Sequence, residues 1–217
     1  MPQVYPISAA SWWSQLRIMS MTPRLTEALS HTTTRGGQTI RADQSARLWQ
    51  YRVELWWYYH DQADAVLAQL EALQNAGGSF MAHPRPRNGP IADPQGAILG
   101  AATPTIASLD ANGREFGLTG LPVGYVLQAG DYLSFTYGTP TKFALHRVLV
   151  GGAADGTGAI GAVEVNPYIR PGAVVGAAVT LLRPEFKALI VPGSVEEGQA
   201  VRDRRSGIAF SLIQDLR

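Results

Sequence analysis

Four histidines, His31, His60, His83 and His146, are the side chains whose type suits proton transfer near neutral pH, and no cysteine accompanies them. A metal site needs ligands that converge, such as two histidines at i and i+4 or a histidine among clustered carboxylates. None of the four has that spacing, and the lack of cysteine removes thiolate ligands, thiol nucleophiles and disulfides together. His60 stands where a strand pattern gives way to a helix pattern and His146 within a β-rich run. At both places a hydrogen-bonded structural role outweighs catalysis. The sequence has no Gly-x-Ser-x-Gly elbow, zinc-protease helix or phosphate-binding loop. A hydrolase built on this chain would have to use His146 or Asp131 with partners from distant loops. The expectation is therefore no catalytic residue, no metal ligand and no cofactor.

Two further patterns have a plain explanation. Gly156-Thr157-Gly158-Ala159-Ile160-Gly161 matches the dinucleotide fingerprint in letters, but that fingerprint requires its glycines to open a helix facing pyrophosphate. Here Ala162-Val163-Glu164-Val165 follows, a strand pattern, so a hairpin loop accounts for the glycines. Asp155 beside them lacks the alternating acidic residues of a calcium loop. The basic clusters are His83-Pro84-Arg85-Pro86-Arg87 and Arg202-Asp203-Arg204-Arg205. The first reads as a proline-stiffened linker. The second, with Asp203, Glu196 and Glu197 at hand, reads as a solvated or inter-subunit salt-bridge region.

The elements that must position these residues are mostly strands. The 23 glycines and 14 prolines cut the chain into many short extended runs, and 46% apolar residues among 217 suffice for a core in one large or two modest domains. A net charge of +1 supplies no global field for nucleic acid or anionic membrane. The N-terminus lacks a basic region followed by an apolar segment, and no window approaches a membrane span, so neither export nor anchoring is expected. Synthesis in a reducing cytoplasm fits the missing cysteines.

The clearest single run is Leu48 to Tyr59. With period two, Trp49, Tyr51, Val53, Leu55, Trp57 and Tyr59 share one face, and Gln50, Arg52 and Glu54 the other, with Trp56 and Tyr58 at its end. Two aromatics on a polar face point to a covering partner. A helix from about Asp61 to Asn75 follows, with Asp61 as N-cap and a stripe of Ala63, Val66, Leu67, Leu70 and Leu73, ended by Gly77 and Gly78. Upstream strands are expected at 17–21, 32–34 and 38–41, the last two joined at Gly36-Gly37. Residues 83–95 hold four prolines and form a crossover. Six strands then follow at 98–109, 115–119, 132–137, 142–150, 162–165 and 174–182, as in a small barrel or sandwich. Runs at 186–191 and 208–212 return to the first sheet if the middle segment is an insertion.

Several of these stretches together resemble the distal tail proteins of long-tailed bacteriophages and phage-derived gene transfer agents. They are the aromatic strand from Trp49 with its Leu-rich helix, Gly130-Asp131-Tyr132-Leu133, Leu145-His146-Arg147-Val148, Val163 to Arg170, and Arg204-Arg205-Ser206-Gly207-Ile208-Ala209-Phe210-Ser211-Leu212. The resemblance implies a belt domain, a β-sandwich with one α-helix, over 1–95 and completed by 186–217, with an OB-like β-barrel inserted at 96–185. It further implies a homo-hexameric ring at the virion tail tip between the tail tube protein and the baseplate hub protein, next to adsorption or fibre proteins, with DNA passing through unbound. Residues 98–120 depart from the usual barrel and are expected to add a hairpin.

A ring needs two different exposed patches. Trp12, Trp13, Trp56 and Tyr58 are the expected protomer contacts, with Arg204 and Arg205 beside them. An alternative is a carbohydrate-binding module in which Tyr125, Tyr132 and Tyr137 stack on sugars.

Overall fold

In the computed structural model, which describes residues 3–27, 29–43 and 45–217, the aromatic run folds as two pieces. Alternation holds through the strand Trp49–Leu55, where Trp49, Tyr51, Val53 and Leu55 are buried and the residues between them are not. The strand stops there, and Trp56 and Trp57 bend the chain before a short strand, Tyr58–Tyr59, joins a different sheet. The bend reverses side-chain parity, so Tyr58 turns inward while Trp56 and Tyr59 are exposed. Its cause lies in the neighbours. Leu55 N–H donates to Ile208 O at 2.9 Å and Trp56 N–H to Arg17 O at 2.7 Å, and past these two bonds Tyr58–Tyr59 pairs with Arg204–Ser206 instead of with the first sheet.

Five antiparallel strands form the first sheet in the order Ile18–Leu25, Trp49–Leu55, Ala209–Gln214, Phe186–Ile190, Phe80–Ala82. The chain leaves this sheet after Ala82 and re-enters at Phe186, and its C-terminal strand takes the central place. The register sets Met21, Val53 and Phe210 in one row and Tyr51, Leu212 and Ile190 in the next, which makes one face continuously apolar. On the other face Arg52 contacts Glu196 at 3.0 Å and Glu54 at 3.5 Å. These pairs are open to solvent and screened by it, so they contribute little to stability. The helix His60–Gln74 lays Ala63, Leu67, Leu70 and Leu73 into the same core. Its N-cap residue is Tyr59, with no side-chain cap; Asp61 lies inside the first turn, where its charge favours the helix dipole, and is not the cap expected from the sequence. After the helix only glycine fits at 78, because an added Cβ would lie 2.5 Å from Leu73 O.

A six-stranded antiparallel sheet follows in the order Val179–Thr180, Tyr132–Tyr137, Lys142–Val150, Ile160–Asn166, Glu115–Thr119, Thr105–Leu109. Its outer strands meet: Thr105 bridges Ala178, Ile106 N–H donates to Ala177 O at 3.0 Å, and Val179 N–H to Pro104 O at 2.8 Å. Phe116, Leu118, Leu133, Phe135, Val148 and Val163 fill its inside. Thr105–Leu109 and Glu115–Thr119 form the hairpin expected in the 98–120 segment. Two expected strands are shorter than the sequence implied. Residues 98–104 are turns and irregular chain beside Asp93. Residues 174–178 are held out of strand geometry by the turn at Gly176, whose φ is +84°. The chain is thus mainly β with one α-helix among the described residues, and no described helix is long and apolar enough to cross a membrane.

Trp49 joins the two sheets. Its indole N–H donates to Leu145 O at 2.9 Å, its ring meets Tyr132 edge-on at 5.6 Å and stacks on Tyr51 at 6.0 Å, and Tyr51 stacks on Phe186 at 5.6 Å. Gln214 adds a donor to Phe143 O at 3.1 Å. Replacing Trp49→Ala removes a buried indole and leaves a cavity, so denaturant unfolding is expected to show a loss of ~3–5 kcal/mol. Trp49→Phe keeps most of the packing and is expected to lose far less.

Candidate interaction surface

The strand break at Trp56 builds an exposed aromatic and cationic surface. Arg17 leads into the edge strand of the first sheet, and its backbone N–H donates to the Tyr58 hydroxyl at 2.7 Å, which fixes Tyr58 inward. The hairpin Gln199–Val201/Arg204–Ser206 then pairs with Tyr58–Tyr59, placing Arg204 opposite Tyr59 and Arg205 opposite Tyr58. Trp57 is flanked by two guanidinium groups, Arg17 at 5.1 Å and Arg204 at 4.2 Å from its ring, and meets Tyr59 edge-on at 5.5 Å. Each cation–π contact at such an exposed place contributes roughly 0.5–1 kcal/mol. An open groove runs from this cluster along the helix past Gln62, Ala65 and Val66. His60 ties the helix to the hairpin turn through Arg202 O at 2.7 Å.

A second surface is the hairpin Leu29–Thr33/Thr39–Asp43. Among the described residues its two strands pair only with each other, and its described side chains are exposed, including Leu29 and Ile40. Gly37, at φ +78°, closes the turn with its N–H on Thr34 O at 3.0 Å.

The residues expected at protomer contacts divide. Trp56 is 48% exposed and belongs to the surface just described. Trp12, Trp13 and Tyr58 do not: all three are buried in the chain's own core. Trp12 meets Phe80 edge-on at 4.7 Å, while Trp13 stacks on Phe80 at 5.8 Å and donates its indole N–H to His83 O at 3.0 Å. The tight turn Trp13–Gln15 directs both rings inward, where extended chain would have split them between two faces. Arg204 is open to solvent, whereas Arg205 is held by its own chain between Asp64 and Glu197, both at 4.0 Å.

The three tyrosines expected to face a sugar are not available as stacking platforms. Tyr125 and Tyr137 are buried in the core of the six-stranded sheet, and the partly buried Tyr132 packs on Trp49 and under Arg147, 5.2 Å from its ring. Burial raises the Tyr125 hydroxyl above the ordinary tyrosine range, with the nearby Asp93 and Asp131 carboxylates adding to the effect. Asp131 accepts Ile91 N–H at 2.7 Å and Gln128 N–H at 2.8 Å, which anchors the proline-rich segment. Burial alone would raise the Asp93 carboxyl. Backbone N–H groups of Leu99, Ile98, Ala97 and Gly96 reverse that and hold it below the usual range. In the glycine loop Asp155 accepts from Thr157 N–H at 2.8 Å and Ala159 N–H at 3.1 Å, a hairpin turn leading into the strand Ile160–Asn166.

His83 and His146 are both buried. Burial lowers each to about 4, aided at His83 by Arg85 and Arg183; at His146 the Pro167 carbonyl, 2.7 Å from Nδ1, opposes the shift and Arg170 adds to it. Phe135 stacks on the His146 ring at 5.1 Å. Neither imidazole lies in a cluster of metal-binding side chains, of which the described residues contain none. Compared with known proteins, the sequence matches no family model and no curated protein.

Two measurements check this arrangement. Acrylamide quenching of tryptophan fluorescence is expected to fall more on Trp56→Phe than on Trp12→Phe, Trp13→Phe or Trp49→Phe, because only Trp56 is half open to solvent. The second is pH dependence. A histidine at about 4 in the fold and near 6.5 when unfolded binds its proton more readily unfolded, so its contribution is complete above pH 6.5 and disappears as pH falls to about 4. For the fully enclosed His146 this amounts to roughly 3 kcal/mol, read from urea unfolding across that range, and His146→Gln is expected to reduce the slope, leaving the part that His83 contributes.

Proposed function

We propose that this chain is a structural, non-enzymatic protein that assembles into a closed ring of six copies at the tip of a long phage-type tail. The ring joins the tail tube to the baseplate hub and the adsorption apparatus. The first sheet with its helix is the belt, a sandwich-like ring-forming domain, and the six-stranded sheet, whose outer strands meet, is a small OB-like barrel standing on it. The observation that carries this reading is the hairpin Leu29–Thr33/Thr39–Asp43. An isolated two-stranded ribbon is marginal in water, and this one leaves both edges and both faces open. Pairing with a neighbouring copy supplies what its own chain does not. Trp56 and the Arg17–Trp57–Arg204 cluster give a second, chemically different patch, as a heterologous ring contact requires. The sequence resemblance agrees with this assembly and supplies its neighbours. The reading as a sugar-binding module based on Tyr125, Tyr132 and Tyr137 loses its platform, since those rings are engaged within the chain.

Native mass spectrometry and negative-stain images of the full chain, alone and mixed with tail tube protein, test the proposal. Six-fold rings with a central hole are expected. Trp56→Ala and Ile40→Asp are expected to prevent them while shifting protomer stability by no more than about 0.5 kcal/mol, both sites being exposed. A monomer that persists at all concentrations and with tail tube protein present, or rings indifferent to both substitutions, overturns it.

A further inference from the structure

A cleft of about 510 Å³ opens between the six-stranded sheet and the chain leaving the exposed hairpin. This volume suits a ligand of one or two sugar rings. Three guanidinium groups line it, Arg47, Arg114 and Arg170, and among the described residues none of them is in an ion pair. Their bonds within the chain are few. Arg47 Nε donates to Thr26 O at 3.3 Å, and Arg170 Nη2 to Arg47 O at 2.9 Å. Arg114 Nη2 donates to the Tyr168 hydroxyl at 2.8 Å with its guanidinium 4.8 Å from the ring centre, so Arg114 holds that ring in place. A guanidinium carries five N–H donors, and most of these remain free for an anion.

The remaining wall is not that of a phosphate-only site. Tyr168 is 49% exposed and presents aromatic surface beside Leu149 and Pro167. Glu164 and Asn166 also line the cleft, and neither side chain makes a hydrogen bond within the described chain. Glu164 repels a polyanion but accepts hydrogen bonds from hydroxyl groups, while three guanidiniums against one carboxylate leave the cleft cationic. One acidic group, several hydroxyls and an apolar ring face satisfy all of these groups at once.

We propose that this cleft binds an anionic sugar residue, with its carboxylate or phosphate on Arg47 and Arg170, its ring face against Tyr168, and its hydroxyls on Glu164 and Asn166. The site is separate from Trp56 and Ile40, and its occupancy is measured on the protein in any oligomeric state. It therefore stands or falls independently of ring assembly.

The test is a titration of the full chain by heteronuclear NMR with glucuronate, glucose 6-phosphate, neutral glucose, inorganic phosphate and AMP. Glucuronate and glucose 6-phosphate are expected to shift resonances of Arg47 and Tyr168, to bind at least tenfold more tightly than glucose, and to weaken as salt rises. Arg47→Gln and Tyr168→Ala are each expected to lower that affinity at least tenfold with the thermal midpoint little changed. Glucose binding as well as its charged relatives overturns the proposal, as does tighter binding of inorganic phosphate or AMP. So does the absence of any shift at millimolar sugar, or retained affinity in both variants.

Discussion

The strand Ala209–Gln214 is the constraint on which the architecture depends. It sits between Trp49–Leu55 and Phe186–Ile190, so the first sheet cannot be completed until residues 209–214 have arrived. Phe210 and Leu212 complete rows begun by Val53 and Tyr51, and the same apolar face receives the helix, Trp12 and Trp13. Contacts between residues more than a hundred positions apart thus hold the sheet, at a high entropic cost of loop closure, and fold slowly relative to local structure. The six-stranded sheet lies within one continuous segment and makes its pairings at shorter range.

The two sheets meet at a seam that is aromatic in the middle and polar at its margins. Trp49, Tyr51, Tyr132 and Phe186 pack in series, while Trp49 and Gln214 spend their N–H donors on carbonyls of the strand Lys142–Val150. Pairing these two donors avoids the cost of about 1–3 kcal/mol that an unpaired buried one carries, whereas the buried Tyr51 hydroxyl in the same series makes no hydrogen bond among the described residues. The segment between the sheets is tethered as well: Asp131 and Asp93 accept its backbone N–H groups, and Arg85 donates to Leu16 O at 3.4 Å. The prolines and arginines that look like a solvated linker therefore include a buried His83 and Pro84. Distant side chains made the difference, the Trp13 indole on His83 O from 70 positions away and the Asp131 carboxylate on Ile91 N–H from 40, and their partners are backbone groups that no side-chain pattern reveals.

What lies outside these cores carries the functional reading. The hairpin around Gly37, Trp56 and the Arg17–Trp57–Arg204 cluster leave polar edges and aromatic area without partners among the described residues. Tyr168 and its arginines do the same around a cleft. Neither the Arg17–Trp57 contact nor the Arg114–Tyr168 contact was visible beforehand, because each joins residues 40 or more positions apart, Arg114 Nη2 and the Tyr168 hydroxyl being 54 apart.

The sequence by itself determined the β-rich class, the one helix with its buried stripe, the hairpin turn at Gly36-Gly37 and the inward set Trp49, Tyr51, Val53 and Leu55. These follow from local periodicity and from glycine's access to positive φ, both properties of neighbouring residues. Tertiary structure decided the rest. It ended the aromatic strand at Leu55 and so exchanged the fates of Tyr58 and Tyr59; it turned Trp12 and Trp13 inward against Phe80, and it enclosed Tyr125 and Tyr137. An aromatic side chain has the same preference for burial at each of these positions. Which of them find a core to enter depends on the path of strands that arrive from elsewhere in the chain, and period-two alternation carries no record of that path.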